Sequence, residues 1–374
     1  MKRIIFIVSL FLSYQVSAIP VPSAPDLSAK SYHLIDFHSG AVLASKNADL
    51  ELAPASMTKI MTALIVFREL KQGNLSLNEK VRISEKAWRT PGSRMFIEVN
   101  KFVSIDDLLH GMLVQSGNDA TVALAEHVAG DEATFAEMMN LEAKRLGMEH
   151  SHFVNSSGLP DDNHFSSARD LAVLTRALIA ASPELYKINA IKEFTFNGIT
   201  QQNRNKLLWH DSSVDGVKTG HTEDAGYCLV SSAVRDNMRL ISVVMRTDSE
   251  SARSDANQTL LNYGYRFYET HLLYKAGQSL SATRIWKGAE ENLNIGLSDD
   301  LYLTIPRNQY KELDASLEID PRLIAPIQKG QRVGSAVIKL KGEVLEKRPL
   351  VALQTVDEGS LMQIIKDEAL LLFE

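Results

Sequence analysis

The sequence predicts an α/β domain followed by a small all-β domain, and two observations support this. First, strand-like segments near residues 32–44 and 214–245 bracket a long stretch with helical periodicity. This order favours one domain whose sheet joins the two ends of the segment. Second, short strand-like runs separated by Lys-Gly pairs begin at Lys275, and helical periodicity returns only at the very end. We therefore expect domains over 19–274 and 275–358.

Length and composition indicate an ordinary globular protein. The 374 residues leave room for two or three domains, and 45% hydrophobic residues, 23% charged residues and a net charge of −6 are unremarkable values. No basic excess indicates a nucleic-acid partner. Cys228 is the only cysteine, which excludes an intrachain disulfide. Its apolar neighbours predict a buried small hydrophobe rather than a nucleophile.

The first residues have the pattern of a secretory signal peptide. Lys2 and Arg3 precede the apolar run 4–12, and small residues at 16–18 precede Ile19. The apolar run is too short to span a bilayer. We expect residues 1–18 to be removed after Ala18 and the mature protein to be exported.

The elements of the first domain follow from periodicity and capping signals. A hairpin over 32–44 comes first, and then a helix from about Pro54 to Leu70. Ser104 begins a capped helix that ends near 115–119, where helical periodicity resumes. The remaining expected elements are helices at 131–146, 166–181 and 251–270, an extended segment at 194–196, and strands at 214–222, 227–234 and 240–245.

The helix that begins near Pro54 places a hydroxyl beside an amine. Ser56 and Lys59 are three residues apart, so their side chains lie on one face of a helix. A neutral lysine in that position can take the proton of a serine nucleophile. Free lysine has a pKa of about 10.4, so burial or nearby cations must lower it. A lone Ser-x-x-Lys is common by chance.

Two further motifs favour a catalytic role for the pair of Ser56 and Lys59. Ser116-Gly117-Asn118 lies at the expected turn between helices, and Lys218-Thr219-Gly220 lies on an expected strand. Together with Ser56-Met57-Thr58-Lys59, in this order, they resemble penicillin-binding proteins and β-lactamases. Segments 193–198, 207–209 and 215–222 resemble the low-molecular-mass, class C penicillin-binding proteins of the D-alanyl-D-alanine carboxypeptidase type. This resemblance covers nearly the whole chain.

The resemblance implies a transpeptidase-like fold and a role for each motif. The domain over 19–274 would have an antiparallel sheet flanked by helices. Ser56 would attack the penultimate D-Ala carbonyl, with Lys59 as base. Ser116 would relay a proton to the leaving amine, and Asn118 would orient Lys59 and hold the substrate amide. Lys218 is a second cation. The sequence leaves open how acid and base roles divide among Lys59, Ser116 and Lys218.

The resemblance also implies the substrate contacts on the strand. Thr219 and Arg253 match the residues that bind the terminal carboxylate of the substrate. The main-chain amides of Ser56 and His221 would form the oxyanion hole. Gly220 would leave the strand edge open to a peptide added as a further strand. The expected partners are stem peptides ending in D-Ala-D-Ala and β-lactam inhibitors, and no cofactor or metal is expected.

Other functions have weaker support in the sequence. Endopeptidase action on cross-links cannot be separated from carboxypeptidase action by sequence. A class A β-lactamase would need a Glu-x-x-Leu-Asn motif, and 193–197 only approaches it, in a segment expected to be extended. A penicillin sensor would need a spanning segment, and a zinc peptidase would need ligand spacing that His150, His152 and His127 lack.

The last residues predict a peripheral membrane anchor. On a helix, apolar residues of 361–373 cover a broad arc, and Gln363, Lys366 and Asp367 lie opposite. The family resemblance implies that 359–374 lies on the outer face of the cytoplasmic membrane. Packing of this helix on the β-domain is the alternative.

Overall fold

The structure is a computed structural model that describes residues 21–372, and it divides into two units between Arg266 and Phe267. The expected signal peptide, 1–18, lies outside the described residues. The described helices include none that is long and apolar enough to cross a membrane.

The first unit, residues 23–266, contains nine strands and nine helices among the described residues. The strands are β1 Ser31–Asp36, β2 Val42–Lys46, β3 Lys80–Arg82, β4 Phe102–Ser104, β5 Glu193–Phe196, β6 Ile199–Gln202, β7 Val214–Thr222, β8 Gly226–Arg235 and β9 Met238–Thr247. The helices are α1 Lys59–Gln72, α2 Glu85–Arg89, α3 Ile105–Leu113, α4 Asn118–Ala129, α5 Glu132–Leu146, α6 Ala168–Ala181, α7 Pro183–Tyr186, α8 Leu207–His210 and α9 Glu250–Phe267.

A five-stranded antiparallel sheet joins the two ends of this unit, in the order β2-β1-β9-β8-β7. The central strands β8 and β9 each contain an unbroken run of buried residues, as expected for strands covered on both faces. β7 is at one edge of the sheet, so its outer backbone groups are open to an added strand. The expected α/β fold is confirmed.

Helix α1 is the centre of the helical part. Every residue from Lys59 to Phe67 is buried, so this helix is covered on all faces rather than along one stripe. The α-helix begins at Lys59 rather than near Pro54 as expected, because a 3-10 turn over Ala55–Thr58 precedes it. Ala55 in this turn has a φ of +46°. The helix ends at Gly73, whose φ of +79° is a left-handed conformation that glycine adopts readily.

The second unit is an all-β domain followed by one helix. Its strands are β10 Tyr268–Tyr274, β11 Ser281–Arg284, β12 Asn292–Gly296, β13 Leu301–Pro306, β14 Leu313–Ile319, β15 Arg332–Leu340 and β16 Glu343–Ala352, and its helix is α10 Leu361–Leu371. Five strands form a sheet in the order β11-β12-β16-β15-β14, and β10 pairs with β13. The structural division therefore falls earlier than residue 274, because 268–274 form a strand of this unit.

Helix α10 is attached through its polar side. Asp367 is buried, and it accepts hydrogen bonds from the Lys287 backbone N–H at 2.6 Å and from Gln363. Arg284 lies 3.4 Å from the same carboxylate, and Lys287 pairs with Glu368. Large apolar side chains on the same helix stay exposed, among them Leu361, Met362, Ile365 and Leu370. The helix thus packs on the β-domain and still presents an apolar surface.

Candidate active site

Ser56 is on the 3-10 turn that leads into α1. The Lys59 Nζ lies 2.9 Å from the Ser56 Oγ, at the start of the buried helix. Ala55, directly before Ser56, is a buried residue with positive φ, a backbone conformation that costs free energy for a non-glycine residue. The turn therefore brings the hydroxyl and the amine together, as the three-residue spacing predicts.

Lys59 is completely buried, and within the part of the chain that the structure describes its hydrogen-bond partners include no carboxylate. Besides Ser56, its Nζ donates to the Asn118 Oδ1 at 2.7 Å and to the Ser157 carbonyl at 2.8 Å. Burial is the main cause that lowers the pKa of Lys59 to about 7, and the charge of Arg204 lowers it further. Near neutral pH a large fraction of this amine is therefore unprotonated and able to accept a proton.

Ser116 and Lys218 form a second hydroxyl–amine pair. The Lys218 Nζ donates to the Ser116 Oγ at 2.9 Å and approaches the Thr219 carbonyl at 3.3 Å. Ser116 lies between α3 and α4 with a φ of +70°. Burial, followed by the charge of Lys59, lowers the pKa of Lys218 well below its ordinary value. The charged form of Lys59 thus disfavours the charged form of Lys218.

Asn118 connects this centre to a loop over residues 91–97. Its Oδ1 accepts from Lys59, while its Nδ2 donates to the Pro91 carbonyl at 2.7 Å. Asp119, the next residue, accepts hydrogen bonds from the backbone N–H groups of 95, 96 and 97, at 2.9, 2.9 and 3.3 Å. Only 1% of Asp119 is exposed. This carboxylate therefore holds the loop whose carbonyl orients Asn118.

Gly220 is needed for packing against the nucleophile's turn. A Cβ at Gly220 would lie 2.7 Å from the Pro54 carbonyl oxygen, closer than real side-chain contacts. This requirement adds to the sequence argument, which concerned only a peptide on the strand edge.

Cys228 pairs with Gly220 across the sheet and is fully buried. The expected buried position of Cys228 is confirmed, and burial raises the pKa of its thiol to about 11.

Arg253 lies beside β7, although it comes from the far helix α9. Its Nη1 donates to the Gly220 carbonyl at 3.3 Å, and Glu250 lies 3.6 Å away. Only 2% of Arg253 is exposed, so its guanidinium is not a solvated surface group. Burial lowers its pKa. Thr219 is buried on the same strand.

The exposed end of the site carries an aromatic contact. The His221 ring lies 4.1 Å, centroid to centroid, from the Tyr227 ring, and the Arg253 guanidinium lies 5.6 Å from that same ring. His221 itself is exposed. Tyr227 therefore connects the side chains of His221 and Arg253 at the end of β7.

The sequence analysis missed three residues that contribute to the candidate active site. Arg204 lowers the pKa values of Lys59, Lys218 and Arg253 through its charge. Its neighbours in the Asn-Arg-Asn sequence anchor it, because the Asn205 Nδ2 donates to the Gly216 carbonyl at 3.0 Å. That sequence between a strand and a helix was the available signal. Ser157 acts through its backbone carbonyl, and Asp119 acts through the loop over 91–97. No local sequence motif indicates either role.

Residues 193–197, which partly match the glutamate motif of class A β-lactamases, begin with a strand. Residues 193–196 form β5, which pairs with β6, and Glu193 is exposed. The Glu193 carboxylate is therefore part of a surface hairpin rather than of a loop buried beside Ser56.

Comparison with known proteins finds two family models along the chain. "D-alanyl-D-alanine carboxypeptidase" matches residues 19–249, and "Penicillin-binding protein 5, C-terminal domain" matches residues 268–358. D-alanyl-D-alanine carboxypeptidase DacA of Escherichia coli is 43% identical over 361 residues, which is 94% of this chain and 90% of that protein. DacC of the same organism is 42% identical, over 97% of this chain and 93% of its own length.

A solved structure agrees in fold over nearly the same extent. Penicillin-binding protein 5 from Haemophilus influenzae is 42% identical and superposes with a TM-score of 0.87. The match covers 90% of this chain and 100% of that chain. The fold is thus similar to that of this solved protein.

Proposed function

Because the chain belongs to the D-alanyl-D-alanine carboxypeptidase family, we propose that it removes the terminal D-alanine from peptidoglycan stem peptides through an acyl-enzyme on Ser56. It is a serine-type hydrolase. The observation that carries the assignment of residues is the contact between the Ser56 Oγ and the Nζ of a buried, partly neutral Lys59, at 2.9 Å.

The acylation step follows from that contact. Neutral Lys59 takes the proton of Ser56 as the Oγ attacks the carbonyl carbon of the penultimate D-Ala. The tetrahedral intermediate collapses when the C–N bond breaks, and the leaving amine of D-alanine needs a proton. Ser116, which contacts Lys218, is placed to pass that proton on. Water then hydrolyses the ester and restores the Ser56 hydroxyl.

The substrate is held along the open edge of β7. A peptide added there as a further antiparallel strand would place its terminal carboxylate by Thr219 and Arg253. Arg253 supports this role because its guanidinium is buried beside Gly220, and the carboxylate of Glu250 lies 3.6 Å away. The backbone amides of Ser56 and His221 would stabilise the oxyanion. The same groups account for acylation by β-lactams, whose carboxylate and amide carbonyl resemble those of D-Ala-D-Ala.

Product analysis tests the function. The protein is incubated with a monomeric muropeptide that ends in D-Ala-D-Ala and, separately, with a cross-linked dimer. Release of one D-alanine from the monomer, with the dimer left intact, supports the proposal. Cutting of the dimer without release of D-alanine from the monomer would show an endopeptidase instead. Rapid catalytic turnover of penicillin would show a β-lactamase.

The location follows from the two ends of the chain. The signal-peptide pattern of residues 1–18 supports export. Helix α10 supports peripheral attachment to the outer face of the cytoplasmic membrane, because Leu361, Met362 and Ile365 are 74%, 82% and 61% exposed. The buried Asp367 fixes the opposite face of this helix on the β-domain, so the apolar side chains remain directed away from the protein.

A further inference from the structure

The backbone carbonyl that Lys59 contacts belongs to a short loop, residues 156–159, which is organised by the side chain directly before it. The Oδ1 of Asn155 accepts hydrogen bonds from the backbone N–H groups of 157, 158 and 159, at 3.2, 2.8 and 3.1 Å. Its Nδ2 donates to the Leu159 carbonyl at 3.0 Å. An asparagine that binds its own following backbone supports a turn without regular secondary structure. Asn155 takes no part in the acylation chemistry.

The loop is also fixed against its surroundings. The Ser156 N–H donates to the Glu132 carboxylate at 3.1 Å. Gly158, with a φ of +83°, packs so closely on the nucleophile's turn that a Cβ would overlap the Ala55 carbonyl. All four N–H groups of the loop therefore have acceptors, and three of them depend on Asn155. Removal of that side chain would leave those three groups without their acceptor.

The Ser157 carbonyl determines how the neutral amine of Lys59 is oriented. A neutral amine has two N–H groups and one lone pair. The Asn118 Oδ1 and the Ser157 carbonyl oxygen lie 2.7 and 2.8 Å from the Nζ, and both can only accept, so they take the two N–H groups. The lone pair then remains for the Ser56 hydroxyl, 2.9 Å away, whose proton it takes. After proton transfer, the three N–H groups of the ammonium form face the same three oxygens.

We propose that Asn155 is a positioning residue for acylation, which fixes its loop so that the Ser157 carbonyl directs the lone pair of Lys59 at the nucleophile. The inference rests on the proposed function, because it concerns the base of that reaction. Without the carbonyl, the neutral amine keeps one fixed acceptor and its lone pair is no longer directed, which slows proton transfer. The ammonium form also loses one of its three acceptors. Because a charged donor gains more from an acceptor than a neutral donor does, this loss lowers the pKa of Lys59.

The charges around Lys59 stay the same when Asn155 is replaced by alanine. Arg204 lowers the pKa of Lys59, and Asp119 raises it. The charged and titratable groups on the elements around the amine are Asp119, His164, Arg204 and Lys218, with the pair of Glu132 and Lys86 on the outer side of the loop. A changed titration of Lys59 in this variant therefore reports the lost carbonyl contact.

The pH dependence of acylation by a chromogenic β-lactam, followed by stopped flow, tests this role. Asn155→Ala should lower the plateau rate constant at high pH by about ten- to a hundredfold, as loss of alignment does. It should also move the inflection down by about half a pH unit or more. Asn155→Gln, which displaces the amide by one methylene group, replaces this variant if the alanine variant does not fold, and the same two changes are expected of it.

Asn155→Asp is the conservative variant. It keeps an acceptor oxygen for the three N–H groups of the loop, so it should restore the plateau rate constant. Its negative charge favours the charged form of Lys59, so the inflection should move up rather than down.

Asn140→Ala is the matched structural control. Asn140 of α5 also binds backbone just before the loop, because it donates to the Phe153 carbonyl at 2.8 Å and accepts from the Phe153 N–H at 2.9 Å. Its replacement should lower the thermal unfolding temperature, as that of Asn155 does, but it should leave the plateau and the inflection of acylation unchanged.

Two results would overturn the role of Asn155. One is an Asn155→Ala or Asn155→Gln variant whose plateau or inflection stays that of the unmodified protein. The other is an Asn155→Asp variant that is as slow as the alanine variant, or whose inflection moves in the same direction. Failure of the proposed function has a different signature, because the unmodified protein would then form no adduct at Ser56, and the role of Asn155 falls with it.

Discussion

At the scale of single residues, burial is what makes Lys59 a base. The amine is fully enclosed, and its hydrogen bonds within the described residues 21–372 go to neutral oxygens, so its charged form has no carboxylate as a hydrogen-bond partner there. The positive charge of Arg204 lowers the pKa of Lys59 further. The sequence predicted the pair from the motif spacing, and the structure adds the physical reason for reactivity.

Acylation should therefore depend on pH through Lys59. Its pKa is lowered from 10.5 to about 7, and the reactive form is the neutral one. The acylation rate constant should be nearly flat above pH 8 and fall with decreasing pH below 7, approaching tenfold per pH unit. Stopped-flow acylation by a chromogenic β-lactam measures it. Lys59→Arg, which stays charged, should be inactive throughout. An inflection near 10 would contradict the assignment.

Arg253 should contribute to substrate binding through its charge. Arg253→Ala should lower kcat/KM for a peptide ending in D-Ala-D-Ala by about ten- to a hundredfold, as a charge-assisted hydrogen bond of about 1.5–3 kcal/mol implies. An analogue amidated at its C-terminus should lose far less. Arg246→Ala, which removes an exposed arginine of the same unit, serves as the control. Equal losses on both substrates would place Arg253 outside carboxylate recognition.

At the scale of elements, the loop over 91–97 is held by a carboxylate from α4. The two carboxylate oxygens of Asp119 accept hydrogen bonds from three consecutive backbone N–H groups, those of residues 95–97. Phe96 within this loop has a φ of +68°. The sequence did not predict this contact, because Asp119 and the loop are separated by more than a helix and share no periodic pattern. The effect of Arg204 was missed because it acts through its charge on lysines of other elements.

Asp119→Asn tests that connection. The variant keeps the side chain's shape but loses the charge and one acceptor, so the loop should loosen and Asn118 should lose its fixed orientation. The charge of Asp119 raises the pKa of Lys59, so its removal should move the acylation inflection to lower pH. We expect acylation to slow about tenfold or more at saturating pH. Asp131→Asn, at the start of α5, is the control. An unchanged rate and pH profile would limit Asp119 to stability.

Helix α10 gives the second element-scale prediction. Deletion of residues 360–374 should free the mature protein from lipid vesicles without slowing hydrolysis of peptides in solution. Since the attachment depends on apolar side chains, salt should weaken it little. A Met362→Ser/Ile365→Ser double variant removes exposed apolar area but keeps the helix's polar contacts, and it should detach similarly. The anchor is contradicted if the full-length mature protein fails to co-sediment with vesicles.

At the scale of the whole molecule, periodicity predicted the two-part architecture and the sheet that joins the ends of the first unit. The sequence predicted the ends of individual helices and strands less accurately, because tertiary contacts decide where an element begins and ends. The helix expected from Pro54 begins as a 3-10 turn, since Ala55 takes a left-handed conformation against Gly158. The expected helix 251–270 stops at Phe267, where β10 begins and pairs with β13.

The three motifs come together as the sequence predicts, although Ser116 and Lys218, which contact each other, are 102 residues apart in the chain. Periodicity alone could not predict that meeting; the order of the motifs and the family resemblance did. What neither provided was the set of neutral contacts that leaves Lys59 partly unprotonated, because burial is a property of the complete fold.

The most direct test of the account is intact-mass analysis after incubation with penicillin, followed by peptide mapping of the adduct. The unmodified protein should gain the mass of one penicillin, and the adduct should map to Ser56. Ser56→Ala should gain no mass while keeping the same thermal unfolding temperature within a few degrees. An adduct of the same mass on Ser56→Ala, or one that maps to another residue of the unmodified protein, would contradict the assignment of Ser56 as the nucleophile.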